Sequence, residues 1–168
     1  MNLMEIKKIK LEELKKTDKI ILKHLIKDSH EPQQRIAEDI ETTRQNVSQR
    51  IKRFREKKII DSFSIKLNYH LIEEVQLKAY ILFQEDLHTN IRIEDEKKIA
   101  AIPHVIKFCR IFGSKYNGII EVIVRDNKEL TEILEIIHNL EGIRETEIII
   151  VQDILKDDAD SLLLHLLE

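Results

Sequence analysis

Up to Lys58 the apolar residues of this chain return every three or four positions, and immediately after it they return every second one. A face repeating at 3.6 residues is buried by helix packing, whereas a face repeating at two belongs to a strand. The chain therefore opens with helices and changes near residue 60 to a part built on strands, an α+β architecture. In the helical part, Asp18 can cap or charge the start of a helix whose face carries Ile21, Leu22, Leu25 and Ile26. Residues 29–32 interrupt it, and Pro32 suits the first turn of a short second helix over residues 33–40, with Ile36, Ala37 and Ile40 turned inward. A turn at Glu41-Thr42 follows. Thr43 then caps a third helix, residues 43–58, whose apolar positions are Val47, Ile51 and Phe54; Thr42 with Gln45 offers a capping box one residue earlier. Three short helices with a brief turn before the third form a helix-turn-helix.

From residue 59 to 68, Phe63, Ile65 and Leu67 alternate with Ser62, Ser64 and Lys66, which predicts a strand linking two domains. Further strands are predicted at 75–84, 105–112, 119–124 and 146–155. Helices are predicted at 92–102, stopped by Pro103, and from Asp126 through Leu140, with Glu129 completing a capping pattern and Gly142 as the stop. The order is the ferredoxin-like βαββαβ unit. Residues 113–118 form a turn between strands, with Gly supplying positive φ. A last helix near residues 159–167 carries more Leu than a free tail would expose and should dock on another element. Residues 1–16 form a weak helix, with Leu3, Ile6, Ile9 and Leu14 to one side, read either as a frayed leader or as a segment packing on a partner subunit. The expected organisation is a winged helix-turn-helix domain over residues 1–60, a linker strand and hinge over 61–72, and a ferredoxin-like domain over 73–168.

Charge narrows the chemistry. The net charge of −3 conceals 12 basic against 8 acidic residues in 17–66, and 11 against 20 in 67–168. Seven basic residues fall within 43–58 against Glu56 alone, a local basic helix of the kind that meets nucleic acid. The predicted partner is double-stranded DNA. Gln and Asn can bond bidentately to adenine and Arg to guanine, so Arg44, Gln45 and Gln49 are the expected base readers, with Asn46 and Ser48 beside them behind the Thr43 cap. Arg50, Lys52, Arg53 and Arg35 are placed for phosphates, which position a protein without reading sequence.

Other classes find little support. The longest apolar runs fall well short of a membrane span, and charge begins at Glu5 rather than giving way to a signal-peptide core. The single Cys, Cys109, excludes an intramolecular disulfide and reads as a small buried residue in a cytoplasmic protein. Seven scattered His show no metal-ligand spacing, and no phosphate-binding Gly loop is present. No catalytic residue, metal or cofactor is expected. Abundant Ile, Lys and Glu point toward a thermophile.

The segments Asp18-Lys19-Ile20-Ile21-Leu22, Ile36-Ala37-Glu38-Asp39-Ile40, Val47-Ser48-Gln49-Arg50-Ile51-Lys52-Arg53-Phe54 and Gly113-Ser114-Lys115-Tyr116-Asn117 resemble, in order and spacing, the Lrp/AsnC regulators of bacteria and archaea. The resemblance covers residues 14–155. It implies a homodimer that assembles further, to an octamer, binding DNA through the N-terminal domain and sensing an amino-acid-like effector through the C-terminal one. It assigns Gly113, Tyr116 and Asn117 to the effector turn. Two departures stand out. The family usually has Gly and an apolar residue where this chain has Glu41 and Thr42, and positive φ at Glu41 would cost on the order of 1 kcal/mol relative to Gly. Asn117 replaces a common Asp and removes a charged acceptor for an effector ammonium. Two other readings share the architecture: an enzyme resembling the siroheme decarboxylases, and a small-molecule binding module whose helix-turn-helix has become a dimer brace.

Overall fold

The computed structural model describes residues 9–86 and 88–168. The chain forms two compact units, one running to Ile65 and taking back residues 156–168, the other Lys66–Leu155.

The first unit contains α1 (Lys16–Lys27), α2 (Gln33–Asp39) and α3 (Arg44–Glu56). Ile21, Leu22, Ile36, Ala37, Val47, Ile51 and Phe54 form its core, all predicted from periodicity, with Leu11 and Leu14 against them. Leu11–Glu13 is a single 3₁₀ turn. Leu3 and Ile6, expected on the same face, lie outside the described residues. Pro32 stands at the N-cap of α2, one position before the expected first turn.

Both α2 and α3 end in a Schellman arrangement. The Thr42 N–H donates to the Ala37 carbonyl (2.8 Å) and the Glu41 N–H to that of Glu38 (3.3 Å), with Glu41 at φ 51°. Lys58, at φ 56°, closes α3 in the same way through the Ile59 N–H and the Phe54 carbonyl (2.8 Å). The expected left-handed bend at Glu41 is therefore present, without the glycine that would relieve it.

The second unit has β1 (Leu77–Glu85), α4 (Thr89–Ala100), β2 (Val105–Arg110), β3 (Gly118–Val124), α5 (Asn127–His138) and β4 (Ile143–Ile150). The sheet is antiparallel, in the order β2-β3-β1-β4. Ala79, Ile81 and Phe83 stand opposite Val122, Ile120 and Gly118, and this face packs with Ile99, Leu130, Ile133 and Ile137 of the helices. Asp126 accepts from the Glu129 N–H (2.9 Å) and Glu129 reaches back to the Arg125 N–H (2.7 Å), realising the predicted capping pattern. Gly118 is required by close approach, since a Cβ there would stand 2.3 Å from the Phe83 ring.

Four expectations need correction. Residues 59–68 join no sheet among the described residues: Ile59 and Ile60 serve the helical core instead, while Phe63, Ile65 and Leu67 are exposed. Gly142 is not a helix stop, for α5 ends at His138 with Asn139 as its C-cap; the place of Gly142 is set by Asp95, whose carboxylate accepts the Gly142 N–H at 2.7 Å. The last helix, α6 (Asp160–Leu166), belongs to the first unit rather than to residues 73–168, and Leu167 (3% exposed) completes the first core. Cys109 is half-buried on the sheet face away from the helices.

Candidate nucleic-acid interface

α3 divides its residues by the helical period. Val47, Ile51 and Phe54 anchor it in the first core, while Thr43, Arg44, Gln45, Ser48, Gln49, Lys52 and Arg53 are exposed. Thr43 caps it, its hydroxyl accepting from the Asn46 N–H at 3.2 Å; the alternative box from Thr42 does not form. The N-terminal turns therefore present Arg44, Gln45, Ser48 and Gln49 on a helix that packing holds rigid. Arg55, also exposed, was not among the residues picked from the sequence, although its place in the basic run was the signal.

Two of the predicted contacts are turned inward. Asn46 donates from Nδ2 to the Thr42 hydroxyl (2.9 Å) and accepts from Arg50 Nε (3.1 Å). Arg50 also bonds Asp18 of α1 through Nη1, with only a fifth of its side chain exposed. The two residues brace α3 against the bend and against α1. Arg35 is exposed on α2 and pairs loosely with Glu31 (3.4 Å); Lys52 lies 3.9 Å from Glu56. The Lys52 pair is exposed on both sides and therefore weak, whereas Glu31 is only 11% exposed and is also held by His24.

His24 holds the other side of the domain. Its Nδ1 lies 2.7 Å from Glu31, just before α2, and its Nε2 3.0 Å from Asp39, the last residue of α2. Burial alone would lower its pKa, but the hydrogen bonds to Asp39 and Glu31 outweigh that and raise it. Both ring nitrogens face carboxylates, so the imidazolium is the form that satisfies them.

In the second unit, Gly113 takes φ 95° at the turn. Tyr116 is buried, with the Lys115 ammonium 4.7 Å above its ring. Asn117 is spent on the fold: Oδ1 accepts from the Glu85 N–H (2.7 Å) and Nδ2 donates to the Glu85 carbonyl (3.1 Å). The residue that departs from the family's Asp thus pins the end of β1. Sequence reading did not single out Glu85, which has no local signal of burial. Among the described residues no cluster could hold a metal ion, and no helix is long and apolar enough to cross a membrane.

Comparison with known proteins agrees in both units. Residues 78–160 match the Lrp/AsnC ligand binding domain and residues 14–61 a winged helix-turn-helix DNA-binding domain. An uncharacterized HTH-type transcriptional regulator of Pyrococcus horikoshii, PH1692, is 28% identical over 153 residues, covering 87% of this chain and 96% of that protein. The HTH-type transcriptional regulator FL11 of Pyrococcus furiosus is 24% identical, covering 85% and 92%. Among solved structures, AsnC of E. coli superposes with a TM-score of 0.78 at 17% identity, covering 86% of this chain and 95% of that one. The regulator NMB0573 of Neisseria meningitidis, in complex with L-Met, superposes at 0.80 and 16% identity, covering 88% and 95%.

Proposed function

The chain belongs to the Lrp/AsnC family of DNA-binding transcription regulators, and on that premise we propose that it binds its operator as a homodimer or higher assembly under the control of an amino-acid-like effector. It is a regulator and not an enzyme, which removes the decarboxylase reading. Arg44, Gln45 and Gln49 read bases in the major groove, with Ser48 beside them. Lys52, Arg53 and Arg35 neutralise phosphates, joined by Arg55. Asn46 and Arg50 set the helix rather than touch DNA. The observation that supports this most is the division of α3, with Val47, Ile51 and Phe54 buried beneath a polar, basic outer stripe.

The homodimer rests on the sheet face away from the helices. Tyr80, Leu82, Ile119 and Ile123 lie there half-buried, with Ile149 exposed beside them, an apolar surface suited to a second copy. The effector reading rests on the ligand-binding domain and on the amino acid bound by the Neisseria protein, with the turn at Gly113, Tyr116 and Asn117 as one rim of the site.

Fluorescence anisotropy against selected genomic fragments tests the DNA reading. Gln45→Ala or Gln49→Ala should change sequence preference, each lost bidentate contact being worth ~1–3 kcal/mol of discrimination. Arg53→Ala should weaken all sequences alike and reduce the salt slope by about 1. Binding with no sequence preference and no response to these substitutions would overturn it.

A further inference from the structure

The core of the first unit is not made from one continuous stretch of chain. Its last member, Leu167, arrives only after the chain has built the whole second unit, which ends at Leu155. Residues 161–168 also lie beyond both matched domains, which cover 14–61 and 78–160. The leucine that completes the DNA-binding core thus stands outside the DNA-binding match.

Its attachment is slight. α6 packs on α1 with Leu164 half-buried and Leu167 buried, whereas Leu162, Leu163 and Leu166 remain 60%, 41% and 51% exposed. Detachment would take little apolar surface into water beyond those two inner side chains. By contrast, α3 is fixed by Val47, Ile51 and Phe54 and by the bond from Arg50 to Asp18. The seven residues of α6 are also too few for a helix that persists alone in water. Asp158 supports its start, the carboxylate accepting from the Ser161 N–H (3.0 Å) and from the Ser161 hydroxyl.

The segment leading to α6 is anchored at both ends. The Val151 N–H donates to the Lys78 carbonyl of β1 (2.9 Å), and residues 151–159 then form no helix or strand. Between Val151 and Asp160 the chain can reach roughly 30 Å and no further. Once that connection is taut, added displacement of the sheet is either resisted by Leu167 or pulls it out. We propose that α6 is a releasable latch: docked, it holds α1 and α3 in the operator-binding arrangement; pulled free, it lets the recognition helix lose that arrangement while the three helices stay folded. Leu167 shares one cluster with Ile21 and Leu22 of α1 and with Val47, Ile51 and Phe54 of α3. Its departure opens a gap between the same two helices that the Asp18–Arg50 bond joins. The coupling is reciprocal, so the factor by which undocking lowers operator affinity is the factor by which operator favours docking. This consequence rests on the operator-binding reading above; the detachment itself does not.

Amide hydrogen exchange of the intact protein, followed by NMR with and without DNA, tests the latch. The Leu163 and Leu167 amides bond to the Ala159 and Leu163 carbonyls. Without DNA, their protection should be at least tenfold below that of Ile51 and Phe54, through an opening nearly independent of urea. A genomic fragment selected for tight binding should raise this protection at least tenfold, and a random-sequence duplex should not. Asp158→Ala, which removes the cap and touches neither the core nor α3, should lower α6 protection and weaken the selected fragment severalfold. Leu167→Ala should weaken that fragment at least tenfold with α1 to α3 still protected, and Leu167→Met should restore it. Equal protection and equal urea dependence in α6 and α3 would overturn the latch. So would a selected fragment that leaves α6 protection unchanged, or loss of α1 to α3 protection in Leu167→Ala, which would make Leu167 an ordinary core residue. Failure to select any fragment would overturn the operator reading and the coupling with it, while exchange without DNA still decides whether α6 detaches.

Discussion

Glu41 shows how a single residue can be used against its own preference. At φ 51° its side chain sits where Gly carries no penalty, yet the bend forms because the Schellman hydrogen bonds and the cores on either side over-determine it. Glu41→Gly should therefore stabilise the protein by about 1 kcal/mol in urea unfolding; a loss of stability would mean that the Glu41 side chain makes a contact worth more than the strain. Asn117 is the opposite case, a residue matched to its place. Asn117→Asp would set a carboxylate oxygen against the Glu85 carbonyl in place of the Nδ2 donor, and should cost ~1–3 kcal/mol. Both positions stood out in the sequence as departures from the family, but only the hydrogen bonds give their reasons.

At the scale of elements, the predicted helices and the four strands of the sheet were legible because their periods are strong and their caps local. Thr43 and Asp126 cap the helices they were assigned. Elements whose fate depends on a partner were less legible. The alternation at residues 62–67 is a strand pattern without a ladder, for period two states which side chains share a face and not whether a neighbouring strand exists. α6 was legible as an amphipathic segment that must dock, but its destination in the first core was not. Leu167→Ala should cost ~2–5 kcal/mol, read as a lower unfolding midpoint for the first unit with the second unchanged. The His24 clasp belongs to α1 and α2 together. A folded pKa above the ordinary imidazole value of 6.5 means its contribution is full below that value and is lost as pH rises through the folded pKa. NMR titration of the ring should show the raised pKa, and His24→Gln should remove this part of the pH dependence; an unshifted titration would dismiss the clasp.

For the whole molecule, the charge asymmetry matters more than the total. Net positive residues 17–66 and strongly acidic residues 67–168 confine nucleic-acid attraction to the first unit, so DNA affinity should fall steeply with salt despite a pI near 6.2. Leu82→Glu on the open sheet face should give monomers in sedimentation and, through loss of the second recognition helix, markedly weaker operator binding; a dimer unaffected by the change would place the interface elsewhere.

By itself the sequence determined which residues face a core, where helices start, and that a basic helix stands third in a helix-turn-helix, since each depends on neighbours a few positions away. The tertiary structure decided what lies far apart in the chain. It turned Asn46 and Arg50 from the exposed stripe of α3 to Thr42 and Asp18, brought Leu167 into the first core, and buried Glu85 among Arg92, Glu96 and Arg110. Hydrophobic period is a local property, whereas the partner of a charged or amide side chain is chosen by distances that only the completed fold sets.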